Sequence, residues 1–281
     1  MFERRDIRRQ FDRAAAGFES ADFVHAATRE GLIERLEPLL VEARTILDLG
    51  AATGGTGRLL RKRFRRARIV SLDMSLAMLA EARKRKSLFA RGSFVQAEAA
   101  SLPFADGTFD LVVANQLLPW IPDTGPVFRE VARVLRKGGV FAFATLGPDS
   151  LRELAAAWAS VDQAAHVNRF EDMHNIGDGL VRAGLADPVL DVDRLAVSYE
   201  SVDRLFADLT LAGARNALCD RPRSLVGRAR FRAMKDALTA RYADGQIVLD
   251  LELVYGHCWG TGAKNEPGEF RIDANGISLR R

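Results

Sequence analysis

The sequence predicts an α/β protein with a doubly wound, seven-stranded sheet, helices on both faces and an N-terminal helical lid. Short runs rich in Val, Ile, Leu and Phe alternate with helix-like runs between residues 45 and 146, which is the pattern of successive βαβ units. Two later β-like runs, Val189–Tyr199 and Ile247–Trp259, are expected to extend the same sheet, and the second alternates apolar and polar residues.

Residues 1–40 are predicted to form the lid. Arg4–Leu39 has helix-like patterning and contains the stretches FDRAAAGF and GLIERLEPLL. The amino terminus is charged where a signal peptide needs an apolar core, and no apolar run approaches the roughly 18 residues that span a bilayer. We therefore expect no transmembrane segment and a cytoplasmic location.

The main domain is predicted over residues 41–260, with a core at 44–146. Its composition suits strands that are buried on both faces, as in a parallel sheet. The expected core strands are Thr45–Leu49, Ile69–Leu72, Phe94–Gln96, Leu111–Ala114 and Val140–Thr145. Helices are expected between them, at Leu76–Lys86 and Gly125–Leu135.

Further helices are predicted on the substrate side of this domain, between residues 149 and 242. They are Asp149–Gln163, Ile176–Leu185 with Gly184 closing it, and helices within Ser201–Tyr242. Residues 261–281 are rich in Gly and Asn, and we expect a C-terminal tail or a small hairpin there.

Composition excludes several classes of protein. With 48% hydrophobic and 28% charged residues the chain is expected to fold throughout, and its two cysteines are too few for a disulfide framework or a four-ligand zinc site. No metal is expected, and nothing indicates an oligomeric state. Arginine clusters at 58–68, 83–91 and 215–232 suit either solvated helix faces or an acidic partner, such as nucleic acid, an anionic membrane or an acidic carrier protein.

A glycine-rich loop follows the first predicted strand and reads DLGAATGGTG. Gly50 and Gly54, with Ala51 between them, allow a ligand to approach the backbone, and a helix opening near Thr56 favours a carboxylate or phosphate at its N-terminus. Dinucleotide-binding folds use a similar loop, so the loop alone does not define the ligand.

Three acidic residues indicate whether this loop binds a dinucleotide or another adenosine-containing cofactor. Asp48, Asp73 and Glu98 fall at the carboxyl ends of three successive predicted strands, which is the edge where open α/β sheets bind ligands. Asp73 suits the two hydroxyls of a ribose, and Glu98 suits the amino group of adenine. A dinucleotide site would explain Asp73 but has no particular use for Asp48 or Glu98, so the pattern favours an adenosine-containing cofactor over a dinucleotide oxidoreductase.

The order of these motifs resembles that of the class I S-adenosylmethionine (SAM)-dependent methyltransferases, which have a Rossmann-like fold. LDLGAATG, SLDMS, AEAASLPFADGTFDLVVANQLLPW and RVLRKGGVFAFAT carry the resemblance over residues 44–146. It implies SAM as cofactor, with Asp48, Gly50, Ala51 and Gly54 around the methionine part, Asp73 at the ribose, Met74 and Met78 at the adenine faces, Glu98 and Ala99 at the adenine edge, and Asn115 and Gln116 near the reactive methyl group. The chain departs from the family at Ala51 and Ala52, which replace the usual small or glycine residues, and at Glu98, where Asp is more usual.

Outside that core the chain resembles the malonyl-acyl-carrier-protein O-methyltransferases of biotin synthesis. The stretches FDRAAAGFE, FATLGPDSLRELAAAWASVDQAAHVNRF and DLTLAGARNA carry this likeness. It implies methylation of the free carboxylate of a malonyl thioester, which needs no catalytic base because a carboxyl group with a pKa of about 4 is ionised at neutral pH. We expect Arg169 to hold that carboxylate through paired bonds, and Phe18 to cover the site where the family carries Tyr. His166 is expected either to hydrogen-bond the same group or to brace its loop, and Trp120 to lie either in the acceptor wall or in the core. An acyl-carrier protein is the expected partner.

Two alternatives stay open: a methyltransferase for another small acceptor, and a methyltransferase-fold assembly factor that acts on a protein partner. A nucleic-acid methyltransferase is disfavoured, because the segment after the fourth strand reads NQLLPW and lacks a proline-proline-aromatic motif for a flipped base.

Overall fold

The computed structural model describes residues 3–86, 91–219, 221, 227–242 and 246–262. Within these ranges seven strands form one sheet, as the sequence predicts. The strands are β1 (Thr45–Leu49), β2 (Arg68–Asp73), β3 (Gly92–Gln96), β4 (Phe109–Asn115), β5 (Leu135–Leu146), β6 (Leu185–Tyr199) and β7 (Ile247–Gly260).

The sheet has the order β3-β2-β1-β4-β5-β7-β6. The first five strands pair in parallel, and β7 runs antiparallel between β5 and β6, so the two late strands extend the sheet as predicted. The strand order reverses between β1 and β4. In an open α/β sheet the crevice at such a reversal, at the carboxyl ends of the strands, is where ligands bind.

Helices cover both faces of the sheet. In the described ranges they are α1 (Arg4–Ala14), α2 (Phe23–Leu36), α3 (Gly55–Arg63), α4 (Leu76–Lys84), α5 (Thr124–Val134), α6 (Arg152–Ala159), α7 (Met173–Arg182), α8 (Val202–Leu211) and α9 (Arg228–Thr239), with short 3-10 turns at Phe18–Ser20, Glu37–Leu39 and Leu118–Trp120. No helix within the described part of the chain combines the length and apolar character needed to cross a membrane.

Successive residues of the strands point to opposite faces of the sheet, so they contribute to two apolar cores. On one face Leu47 and Val112 pack with Val127 from α5, and on the other Ile46 packs with Leu32 from α2. Each of these side chains is fully or almost fully buried. Burial on both faces explains why the central strands read as continuous apolar runs rather than as alternating ones.

Two predicted helices had wrong bounds. The helix expected at Asp149–Gln163 is only α6, and it begins late because Leu151 takes a left-handed conformation (φ 61°) immediately before it. The helix expected to reach Leu185 ends at Arg182. Gly184, with φ 88°, turns the chain there, and Leu185 begins β6 opposite Gly260.

The N-terminal helices lie over the sheet edge, where β1, β2 and β4 end. Two contacts attach α1 to the segment after α8: Gln10 Nε2 donates to the carbonyl oxygens of Gly213 (2.6 Å) and Arg215 (2.8 Å), and Arg221 pairs with Asp6 at 2.6 Å. The division into 1–40, 41–260 and 261–281 stays a prediction, and the expected hairpin lies almost wholly outside the described residues.

Candidate functional site

A cavity of about 320 Å³ opens at the carboxyl ends of β1, β2 and β4, beneath α1. The lid, the glycine-rich loop and the residues after three strands all contribute to its wall. These residues include Arg4, Ile7, Phe11, Phe18, His25, Gly50, Ala52, Asp73, Met74, Glu98, Ala99, Asn115, Gln116 and Trp120.

The glycine-rich loop holds a left-handed backbone at the cavity floor. Gly50 has φ 75°, and a Cβ there would lie 3.0 Å from Leu117 Cδ1. The backbone of Ala52 is also in the left-handed conformation (φ 45°), which residues other than glycine rarely adopt. Its N–H donates to Asp73 Oδ2 at 2.8 Å, which fixes the loop against β2.

Asp73 is the acid best placed for a ribose. Its Oδ1 accepts from the Ser75 N–H at 2.8 Å and its Oδ2 from the Ala52 N–H, so two backbone donors orient the carboxylate in the cavity wall. A carboxylate has about four acceptor positions, which leaves capacity for two hydroxyls. Burial raises the pKa of Asp73 to about 6, and nearby Asp12 adds to the rise.

Asp48 lies under the loop rather than in the cavity wall. Its carboxyl group is 1% exposed and faces Gly57 and Ser71. Burial raises its pKa to about 7, and the Gly57 N–H and Ser71 hydroxyl offset part of that rise. The structure places Asp48 beneath the loop, and its predicted role around a methionine part stays a prediction.

The other cofactor residues divide between wall and core. Met74 and Ala99 border the cavity, as expected for an adenine subsite. Met78 is fully buried under the lid, and Ala51 is 4% exposed; neither is in the wall. Gly54 borders a separate groove on the far side of the loop.

Glu98 is at the cavity rim but does not end the third strand. β3 stops at Gln96, and Glu98 belongs to the turn that follows, where it bridges to Ser101. Its Oε2 pairs with Arg4 Nη1 of the lid at 2.8 Å. The acid predicted for the adenine edge thus also joins the lid to the sheet.

Three residues of the cavity wall near the end of β4 each carry a buried polar atom without a hydrogen-bond partner among the described residues. Asn115 Nδ2 donates to the His25 carbonyl oxygen at 3.0 Å, but Asn115 Oδ1, Gln116 Nε2 and His25 Nδ1 have no hydrogen-bond partner in the described part of the chain. Gln116 is left-handed (φ 56°). Burial lowers the pKa of His25 to about 4, so its imidazole is neutral at physiological pH.

Buried polar groups are ordinarily hydrogen-bonded, so this cluster indicates a place for a polar ligand. Asn115 and Gln116 were predicted from the sequence, but His25 was not. A single histidine within a helical run carries no pattern that separates it from a structural one.

Aromatic contacts close the wall around this cluster. Phe18 packs edge-on against the His25 ring, with centroids 5.0 Å apart, and Phe11 does the same against Trp120 at 5.1 Å. Phe18 and Trp120 therefore lie at the cavity expected for them, and their rings keep that end of it apolar.

Arg169 and His166 lie elsewhere, in the wall of a second cavity. His166 stacks on Trp158, with centroids 3.8 Å apart, and its Nε2 is 2.8 Å from Asp162 Oδ1. The structure does not bring either residue into the wall of the cavity beneath α1. Their assignment to the acceptor carboxylate stays a prediction.

Known proteins share both the sequence and the fold. A family described as "Methyltransferase domain" matches residues 47–143. The malonyl-[acyl-carrier protein] O-methyltransferase of Halorhodospira halophila is 39% identical, over 99% of this chain and 97% of that protein. The protein of the same name from Legionella pneumophila is 38% identical, over 94% and 93%.

Two solved structures share the fold at low sequence identity. They are the YcgJ protein from Bacillus subtilis (TM-score 0.61, 18% identical, 83% of this chain and 98% of that one) and a SAM-dependent methyltransferase from Thermotoga maritima (TM-score 0.55, 18% identical, 90% and 99%).

The sheet order and the cavity at its switch point, with an acid at the end of β2, define a class I methyltransferase. Within that class, the extent and identity of the sequence matches give the family. The chain belongs to the malonyl-[acyl-carrier protein] O-methyltransferases.

Proposed function

We propose that this enzyme transfers the methyl group of SAM to the free carboxylate of malonyl-acyl-carrier protein, as a step of biotin synthesis. The observation that carries the proposal is the buried polar cluster of His25, Asn115 and Gln116, placed in the same cavity as Asp73. One end of the cavity suits a nucleoside, and the other suits a small charged acceptor.

The residues present fit SAM. Asp73 has acceptor capacity for the ribose hydroxyls, Met74 and Ala99 border the space for an adenine, and the Asn115 Oδ1 is an unpartnered acceptor suited to an ammonium group. When bound, SAM supplies an electrophilic methyl group on a sulfonium.

The acceptor end suits a carboxylate because it offers hydrogen-bond donors without a fixed charge. Gln116 Nε2 donates, and His25 donates from Nδ1 when its neutral ring carries the proton there. Because the malonyl carboxylate is already ionised at neutral pH, the protein needs to align it and exclude water rather than remove a proton. Phe11, Phe18 and Trp120 provide the apolar surroundings in which those donors act most strongly.

The test is methyl transfer from labelled SAM to malonyl-acyl-carrier protein, with acetyl- and succinyl-loaded carriers as controls. We expect label on the malonyl carrier that mild ester hydrolysis releases, none on the acetyl carrier, which has no free carboxylate, and less on the longer succinyl chain. No transfer to the malonyl carrier, with SAM binding intact by calorimetry, would overturn the proposal and favour another acceptor.

A further inference from the structure

The lid helix α1 has two faces of different chemistry. Ile7 and Phe11 line the cavity, whereas Arg5, Arg9 and Arg13 are exposed. A spacing of four residues places these three arginines in one row along the helix, on the side away from the cavity.

This row carries positive charge that the described part of the chain does not neutralise. The two acids of α1 are engaged elsewhere: Asp6 pairs with Arg221 at 2.6 Å, and Asp12 accepts from the Ser75 hydroxyl at 2.6 Å. Among the described residues no carboxylate lies within ion-pairing distance of Arg5, Arg9 or Arg13. Like charges four residues apart destabilise an isolated helix, so the row has no local structural benefit.

The helix that carries the row also borders the cavity, through Arg4, Ile7 and Phe11. Arg4, at the start of the same helix, is part of the cavity rim, and the exposed Arg215 adjoins the helix because its carbonyl oxygen accepts from Gln10. By contrast, the exposed pair Arg65 and Arg66 precedes β2 and lies at the amino edge of the sheet. The five residues of β1 separate the two edges by roughly 17 Å, at about 3.3 Å per residue.

We propose that the outer face of α1, marked by Arg5, Arg9 and Arg13, is the docking surface for the acyl-carrier protein. The inference rests on the proposed function, in which the malonyl group arrives on a thioester arm attached to a small acidic protein. The carrier must bind near the cavity entrance for that arm to reach the cluster at His25. Charge complementarity requires a basic surface, and position favours the row on the helix that borders the cavity over the basic residues at the amino edge.

The experiment compares two substrates and two double variants. Malonyl-acyl-carrier protein has the docking partner, and malonyl-pantetheine has the same thioester without it. The variant R5E/R9E reverses the charge of the row, and R65E/R66E makes the same change at the amino edge. R5Q/R9Q removes the charge of the row without reversing it, and the SAM affinity of each variant reports an intact cavity.

For R5E/R9E we expect the KM for the malonyl carrier to rise by roughly tenfold or more with kcat unchanged, and kcat/KM for malonyl-pantetheine to stay at the wild-type value. R5Q/R9Q is expected to lie in between, and R65E/R66E to match the wild type. Added salt should raise the wild-type KM for the carrier more than that of R5E/R9E, because salt screens the attraction.

An unchanged carrier KM in R5E/R9E, an equal rise in R65E/R66E, or an equal loss on malonyl-pantetheine would each overturn the docking surface. Binding of fluorescently labelled carrier, followed by anisotropy without turnover, separates the two proposals. If the wild type binds the carrier through the row but transfers no methyl group, the proposed function fails and the surface stands. If it methylates both substrates and charge reversal changes neither binding nor KM, only the surface fails.

Discussion

At the scale of single residues, the cofactor end of the cavity depends on a carboxylate that the backbone holds in place. The N–H groups of Ala52 and Ser75 both donate to Asp73, so its orientation is set before any ligand binds. Such preorganisation lowers the entropic cost of binding. It also makes the side chain a sharp target for substitution.

Asp73→Asn should weaken SAM binding by about 1.5–3 kcal/mol, or roughly tenfold to a hundredfold in Kd, because a neutral amide replaces a charged acceptor. Isothermal titration calorimetry measures this directly. Asp106→Asn makes the same chemical change at an exposed site and should leave Kd unchanged. An Asp73 variant that binds SAM like the wild type would refute the ribose role.

A second pair of residues tests the acceptor end. His25→Phe keeps a ring against Phe18 but removes Nδ1, and Gln116→Met keeps the length of the side chain but removes its donor. Each should raise the KM for the malonyl substrate by roughly tenfold, the effect of one hydrogen bond to a charged group, with little change in SAM affinity.

Arg169→Ala tests, in the same assay, whether the acceptor carboxylate binds at Arg169 instead. If the acceptor carboxylate binds at His25 and Gln116, this variant should keep the wild-type KM, because Arg169 borders another cavity. A large effect of Arg169→Ala, together with none at His25 and Gln116, would favour the sequence-based assignment instead.

At the scale of elements, α1 is held to the rest of the protein mainly by polar contacts and buries little apolar surface. It buries only Ile7 and Ala14, and Gln10 makes two of the hydrogen bonds that join it to the segment after α8. Elements with little buried apolar surface open locally at low free-energy cost. The lid is therefore expected to move more readily than the sheet beneath it.

Gln10→Ala should make α1 open more often. We expect faster trypsin cleavage at the arginines of α1 and faster SAM dissociation, while the melting temperature stays close to that of the wild type. Gln163→Ala, at an exposed glutamine outside the lid, is the matched control. Equal cleavage rates in the two variants would mean that the Gln10 contacts do not hold the lid.

The strands were predicted from the sequence more accurately than the ends of the helices. Each of the seven predicted strands overlaps an observed strand. The central strands are buried on both faces and need continuous apolar runs that local sequence reveals, whereas alternation of apolar and polar residues indicated β7. The predicted ends of α6 and α7 were wrong, because Leu151 and Gly184 end or start elements through backbone conformation rather than composition.

Side-chain partners were harder to predict than strands. His25 joins the cavity only because α2 crosses the end of β4, where Asn115 bonds to its carbonyl oxygen. Arg169 looked suitable by residue type, yet tertiary packing places it around a different cavity. Residue type and order locate the cofactor motifs, but the acceptor end depends on long-range packing that no local pattern encodes.

At the scale of the whole molecule, buried ionisable groups make stability depend on pH in opposing ways. Burial raises the pKa of Asp48 to about 7, so the folded protein keeps a proton that the unfolded chain has already released. This makes stability fall as pH rises from about 4 to 7. Asp73, with a pKa of about 6, also lowers stability as pH rises, over the narrower range from about 4 to 6.

His25 acts in the opposite direction. Burial lowers its pKa from 6.5 to about 4, so between these values the unfolded chain binds a proton that the folded protein excludes, and stability rises with pH. At about 1.36 kcal/mol per pH unit, the shift corresponds to a contribution of about 3 kcal/mol across that window. In the wild type this gain partly cancels the loss from the two carboxyl groups.

His25→Phe removes the stability that His25 adds as pH rises and leaves the stability lost through Asp48 and Asp73. The free energy of unfolding of this variant, relative to the wild type, should therefore decrease by about 3 kcal/mol as pH rises from about 4 to 6.5. Urea unfolding at constant ionic strength across that range measures the difference. His174→Phe removes an exposed histidine and should follow the wild-type curve more closely. Parallel curves for His25→Phe and the wild type would show that His25 titrates alike in the folded and unfolded chain, contrary to its burial beside the cavity.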